Sequence, residues 1–194
     1  MKKYKKQENI INSTRENIID VASRLFSEYT YLGVSMSDIA KKVNITKAAL
    51  YYHFRNKAEI YKKVLDKTYC ELESSISKAF NERTIDKKLF KLIKNYLDFS
   101  FKEMNLIKTL MLKLSPSNSE INKHIFKLRE RIINLVRPLV EEVLLNKKIA
   151  QVISGSLLTS LLIGMMDGLL LEYSLLNKKI DSEKLSRQII NILF

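Results

Sequence analysis

Only four glycines and two prolines punctuate these 194 residues. Gly and Pro supply tight turns and end helices, so a chain this short of them is driven toward long helices rather than hairpins. Apolar residues recur at three- and four-residue spacing, and no alternating run is bounded by turn residues as a strand would be. The expected class is all-α. Residues 1–12 read as a mobile basic tail. Ser13 opens a helix through a capping box with Glu16, and Ile18, Val21, Ala22, Leu25 and Phe26 form its buried face. A turn follows with Gly33 at positive φ. Capping pairs Ser35/Asp38 and Asn56/Glu59 open further helices, the second reaching about Phe80 along a stripe of Ile60, Val64, Leu65, Leu72 and Ile76. Helices are predicted beyond it at roughly 86–103, 105–114, 119–146, 148–177 and 181–193, with a break at Ser115–Asn118.

The segment from Ser35 to Phe54 carries the sharpest pattern. A helix-turn-helix packs two short helices steeply across a tight turn. A small residue is needed where the helices cross, and Ala40 supplies it. Asn44, four residues on, tolerates the left-handed conformation that ends the first helix. Leu50, ten residues after Ala40, anchors the second helix. The outer face of that helix shows small residues at its start, which permit close approach to base edges; an Ala methyl can pack on a thymine methyl. Thr46 and the helix N-terminus offer donors to phosphate.

Charge agrees with a polyanionic partner. Residues 1–65 hold 13 Lys or Arg against 6 Asp or Glu, while the remaining 129 hold 21 against 15, so the first third is about twice as basic per residue. The chain has a single cysteine, Cys70, which excludes an intrachain disulfide, suits a reducing cytoplasm and is expected as a buried small hydrophobe. The charged N-terminus shows no signal peptide. Val152–Leu171 is nearly long and apolar enough to span a bilayer, but Asp167 and four hydroxyl residues within it favour a helix buried in a bundle or subunit interface. Two histidines and one cysteine, without ligand spacing or a phosphate-cradling loop, argue against an enzyme, a metal or a cofactor. A basic helical protein acting at a membrane surface or as a structural element is the alternative; it explains the charge but not the spacing of Ala40, Asn44 and Leu50.

Thr14 to Leu65 resembles the DNA-binding domain of the TetR family of regulators. The resemblance is carried by Ala22–Phe26, Ser35-Met36-Ser37-Asp38-Ile39-Ala40, Thr46-Lys47-Ala48-Ala49-Leu50-Tyr51-Tyr52-His53-Phe54, and Asn56-Lys57. Thr30, Asn44 and Ala48 stand where the family often has Gly, and Val34 where it often has Thr. The resemblance implies a helix-turn-helix DNA-binding domain at 13–58 and a helical sensor and dimerisation domain at 59–194. It places Ser35, Ser37, Thr46, Lys47, Ala48, Ala49, Tyr51, Tyr52, His53 and Lys57 against DNA. Lys47, Ala48, Ala49 and Tyr51 would read bases and the others would hold phosphate, with Lys2, Lys3, Lys5 and Lys6 adding attraction that is independent of sequence.

The same resemblance implies a cytoplasmic, nucleoid-associated homodimer that represses transcription from a near-palindromic operator and answers to a small apolar or amphipathic effector. Candidates for the effector pocket are Tyr96, Phe99, Met104, Met111, Phe126, Met165 and Met166. Candidates for the dimer interface are Leu157, Leu161, Asp167, Leu169, Leu185 and Ile189. The helix from Asn56 to Phe80 is expected to be the one element that reaches both functional regions, and so to couple them.

Overall fold

A computed structural model describes residues 2–104, 119–147 and 152–193. Among these residues the chain forms eight α-helices and no strand: α1 Lys2–Gly33, α2 Met36–Val43, α3 Lys47–His53, α4 Lys57–Ser77, α5 Ile85–Lys102, α6 Ser119–Asn146, α7 Gly155–Leu175 and α8 Ser182–Leu193. The predicted helix 105–114, the break at 115–118 and Met111 lie outside the described residues, as does the start of the predicted helix 148–177. The latter is helical from Gly155, where Ser154 Oγ accepts the Leu157 N–H at 3.2 Å.

Local chemistry sets the small helices. Ser35 and Asp38 form the complete capping box: Asp38 N–H donates to Ser35 Oγ at 3.2 Å, and Ser35 N–H donates to Asp38 Oδ2 at 2.8 Å. Asn44 ends α2 at φ 62°, ψ 45°. Beyond it the Ile45 N–H reaches back to the Ala40 carbonyl at 3.0 Å, which closes the helix end. At the head of α4, Asn56 Oδ1 accepts the Glu59 N–H at 2.9 Å, but the Glu59 carboxylate returns to the Arg55 N–H at 2.8 Å and not to Asn56.

Two expectations for α1 are corrected. The helix begins at Lys2, so residues 2–12 continue α1 rather than forming a tail, and Ser13 lies inside the helix instead of capping it. The left-handed residue before α2 is Thr30, at φ 65°, ψ 170°, and not Gly33. Contacts from α4 decide this: Lys57 Nζ donates to the carbonyls of Tyr31 and Val34, both at 2.7 Å, and lies 4.4 Å from the Tyr31 ring centre. The Tyr31 ring in turn packs against Tyr61 and Phe26. Holding those carbonyls places the bend at Thr30, three residues before Gly33. A β-branched residue at such angles carries about 1–3 kcal/mol of strain, while Gly costs about 0.5–1 kcal/mol in chain entropy. Thr30→Gly is expected to raise the unfolding free energy by about 1 kcal/mol, read as a higher urea midpoint at unchanged slope.

Two hydrophobic cores result. One joins α1, α2, α3 and the first half of α4 through Phe26, Ile39, Leu50, Phe54, Ile60 and Leu65. The other joins the end of α4 to α5, α6, α7 and α8 through Ile76, Leu92, Leu97, Val140, Leu162 and Ile189. α4 is not the only bridge between them. The start of α6 sends Ile121, Ile125 and Leu128 into the first core, and its remainder sends Ile132, Val136 and Val140 into the second. The two bridging helices are cross-linked by Lys62–Glu120 at 3.4 Å, Asp66–His124 at 2.7 Å and Glu73–Arg131 at 2.6 Å.

Candidate DNA-binding face and interior cavity

The α2–α3 pair presents one continuous outer surface. Ala40 and Leu50 are buried where the helices cross. Ser35, Ser37, Thr46, Lys47, Ala48, Tyr51 and Tyr52 are exposed, and Ala49 is partly so. Tyr52 keeps 75% of its surface open and Tyr51 47%, so both phenol rings project from the same surface. Thr46 Oγ1 accepts the Ala49 N–H at 3.1 Å, which fixes the start of α3. Lys41, Lys42, Lys47 and Arg55, along this surface, form no ion pair among the described residues.

His53 and Lys57 sit differently from the rest. His53 is half-buried, its Nδ1 has no hydrogen-bond partner among the described residues, and its ring meets Tyr52 edge-on at 5.3 Å. Lys57 commits two of its three ammonium donors to the Tyr31 and Val34 carbonyls, and burial lowers its pKa against a smaller opposing pull from Asp38. Arg15, which sequence reasoning missed, braces the end of α3: Nη1 donates to the His53 carbonyl at 2.8 Å, the guanidinium lies 4.5 Å from the Phe54 ring centre, and Glu59 is 3.8 Å away. No spacing rule pairs Arg15 with a helix end 38 residues further along the chain.

Inside the second half of the molecule is a cavity of about 330 Å³. Thr68, Tyr69 and Leu72 of α4 form one wall, and Ile125, Phe126, Arg129 and Ile132 of α6 form another. Tyr96, Phe99 and Ser100 come from α5; Ile163, Asp167, Gly168 and Leu171 come from α7. Its polar centre is a three-residue cluster. Asp167 Oδ1 accepts the Tyr96 hydroxyl at 2.5 Å, and Arg129 Nη1 stands 2.8 Å from Asp167 Oδ2. Burial, then the Asp167 charge and hydrogen bond, push the Tyr96 phenol well above its ordinary pKa. Burial also pushes Tyr69 to about 12. For Arg129, burial works against the charged form, yet the Asp167 charge and hydrogen bond outweigh it and leave the pKa raised.

The sequence model of the bacterial regulatory proteins of the tetR family matches residues 18–64, and that of the C-terminal region of the YsiA-like proteins matches 64–194. The chain belongs to the TetR family. The biofilm operon icaADBC negative transcriptional regulator IcaR of Staphylococcus epidermidis is 36% identical over 112 residues, covering 57% of this chain and 60% of that protein. The chain thus matches less than two thirds of this relative's length. Among solved structures, the fatty acid degradation regulator FadR of Bacillus halodurans aligns over 93% of this chain and 94% of its own, with TM-score 0.80 and 21% identity. FadR from Bacillus subtilis, solved in complex with stearoyl-CoA, covers 92% and 96% with TM-score 0.78 and 22% identity. These likenesses establish the TetR fold, with an N-terminal helix-turn-helix unit and a helical C-terminal region.

Several expected site residues fall elsewhere in this TetR-family chain. Tyr96, Phe99 and Phe126 do line the cavity. Met104 and Met166 are buried in the second core and Met165 packs on it; none of the three is among the residues that line the cavity. Tyr69 and Arg129 were missed; Arg129 lies in the charged run Lys127–Arg131, which reads as a solvated face. Of the dimer candidates, Leu185 and Ile189 are buried against α5 within the same chain, and Leu169 packs partly on its core. Asp167 points into the cavity. Leu157 and Leu161 remain open, at 53% and 46% exposure, and with Gly164, Gly168 and Leu175 they mark an exposed stripe at helical spacing. Cys70 is exposed on α4 and not buried, with Arg131 Nη2 3.7 Å from its sulfur.

Proposed function

We propose that this protein is a cytoplasmic, ligand-responsive repressor that binds a near-palindromic operator as a homodimer, with α3 in the major groove. The observation that carries the reading is the pairing of two features in one chain. A capped, outward-facing α3 carries small residues, tyrosines and Lys47, flanked by Lys41, Lys42 and Arg55, which form no ion pair among the described residues; behind it an apolar cavity lies between the two helices, α4 and α6, that enter the core beneath α3. IcaR of S. epidermidis is a negative regulator by its description, and that supports repression here. α7 is long and apolar enough to cross a membrane, but one of its faces is packed in the second core. Its other face suits a second copy of the chain, giving a four-helix interface with α8.

Switching follows from shared residues. Ile125 lines the cavity and is also buried in the core beneath α3. A ligand that parts α4 from α6 therefore disturbs the seating of the DNA-binding unit, and in a dimer it alters the separation of the two recognition helices. A hundredfold loss of operator affinity requires about 2.7 kcal/mol of preference for the released state. Reciprocity gives the test. A duplex selected from a random pool is used to measure binding with and without stearoyl-CoA, the ligand bound by B. subtilis FadR, and stearoyl-CoA binding is measured with and without that duplex. One common factor well above unity is expected in both measurements. Affinities unchanged by the other partner, or stearoyl-CoA competing directly on the α3 face, would sink this route.

A further inference from the structure

Among the described lining residues, the polar cluster in the cavity is charge-balanced. It holds one guanidinium and one carboxylate 2.8 Å apart, and both carboxylate oxygens are occupied, one by Arg129 and the other by the Tyr96 hydroxyl. The Tyr96 and Tyr69 phenols stay protonated at neutral pH and add no charge. Around the cluster the described walls are mostly apolar, with Leu72, Phe99, Phe126 and Ile163, and the hydroxyls of Thr68 and Ser100 are the other polar side chains. A ligand filling this space displaces the water that screens the pair. A third charge brought in with it would lose hydration without gaining an opposite charge among the described lining residues. A neutral oxygen meets no such penalty. Arg129 has five N–H donors, of which the contact to Asp167 engages Nη1.

We infer that the cavity selects a ligand whose enclosed polar group is an uncharged acceptor, such as an ester, thioester or amide carbonyl on an apolar chain, and that Arg129 and Asp167 impose this selection as a balanced pair. The inference rests on reading the cavity as the effector site. It assigns specificity to two residues contributed by α6 and α7, 38 positions apart in the chain. It also makes the preference reversible in sign: removing either charge leaves the other to be matched by the ligand.

The experiment uses the full chain and three probes of one chain length below their micelle concentrations: dodecanoate, methyl dodecanoate and dodecylamine. Binding is read by calorimetry and by the shift in melting temperature at neutral pH. The native protein is expected to bind the methyl ester tightest. Asp167→Asn, which leaves Arg129 unmatched, should move the preference to dodecanoate by roughly tenfold over the ester. Arg129→Gln should move it to dodecylamine by a similar factor. The double variant Arg129→Gln/Asp167→Asn carries no unpaired charge and should regain the ester preference; it keeps the test decisive if a single variant fails to fold. Dodecanoate binding the native protein as tightly as the ester would overturn the inference. So would an order of probes that is unchanged in the folded variants, and in both cases the effector reading of the cavity would stand. Failure of all three probes to bind any variant would overturn both.

Discussion

Ala49→Glu is expected to leave the protein folded and to abolish its specific binding to DNA. The substitution separates folding from recognition because the two environments of residue 49 respond to an acid in opposite ways. Within the chain, Ala49 is the third residue of α3 and its N–H already bonds Thr46 Oγ1. Thr-x-x-Glu is the capping-box pattern, so the new carboxylate can reach the Thr46 N–H, and a helix N-terminus favours negative charge by about 0.3–1 kcal/mol. Melting temperature should therefore hold or rise. Against DNA the same carboxylate meets phosphates and the acceptor edges of purines. Like charges brought together at an interface cost several kcal/mol, so affinity for the selected duplex should fall at least about a hundredfold. Ala49→Gln has the same size without the charge and should lose less. Native affinity in Ala49→Glu would mean that α3 does not face the groove.

Gly164→Lys should yield a folded monomer. A Cβ added at Gly164 would meet no atom within 4 Å. Among the described residues, then, nothing opposes a Cβ there, and a helix interior gains about 1 kcal/mol when glycine is replaced by a good helix former. The cost falls wholly on a partner. Gly164 lies one turn from Leu161 on the exposed stripe of α7, where a charged side chain would hold a second copy away. Light scattering should report a monomer, and the melting temperature should lose its dependence on protein concentration. Operator affinity should drop by about 10²–10⁴, because the second half-site is no longer engaged intramolecularly. A dimer that persists with native operator affinity would place the subunit contact on another face.

What the sequence settled by itself lies within a few residues of chain. Ser35 with Asp38, Asn44 at the end of α2 and Thr46 before α3 act through bonds spanning three to five positions. Composition and spacing therefore located the helix-turn-helix and the buried pair Ala40 and Leu50 without knowledge of anything else. The tertiary structure decided matters that depend on which surfaces meet. Lys57, reaching back to Tyr31 and Val34, moved the bend from the permissive Gly33 to Thr30. Arg129 and Tyr96 drew Asp167 into a cavity from a helix whose apolar residues surround it on most sides, so periodicity could not say which side faces inward. α8 has one apolar stripe, and α5 covers it within the same chain, so Leu185 and Ile189 are buried there while Leu157 and Leu161 stay exposed on α7. A helix records in its sequence that it has a face to bury; which neighbour buries it is set by packing between segments far apart in the chain.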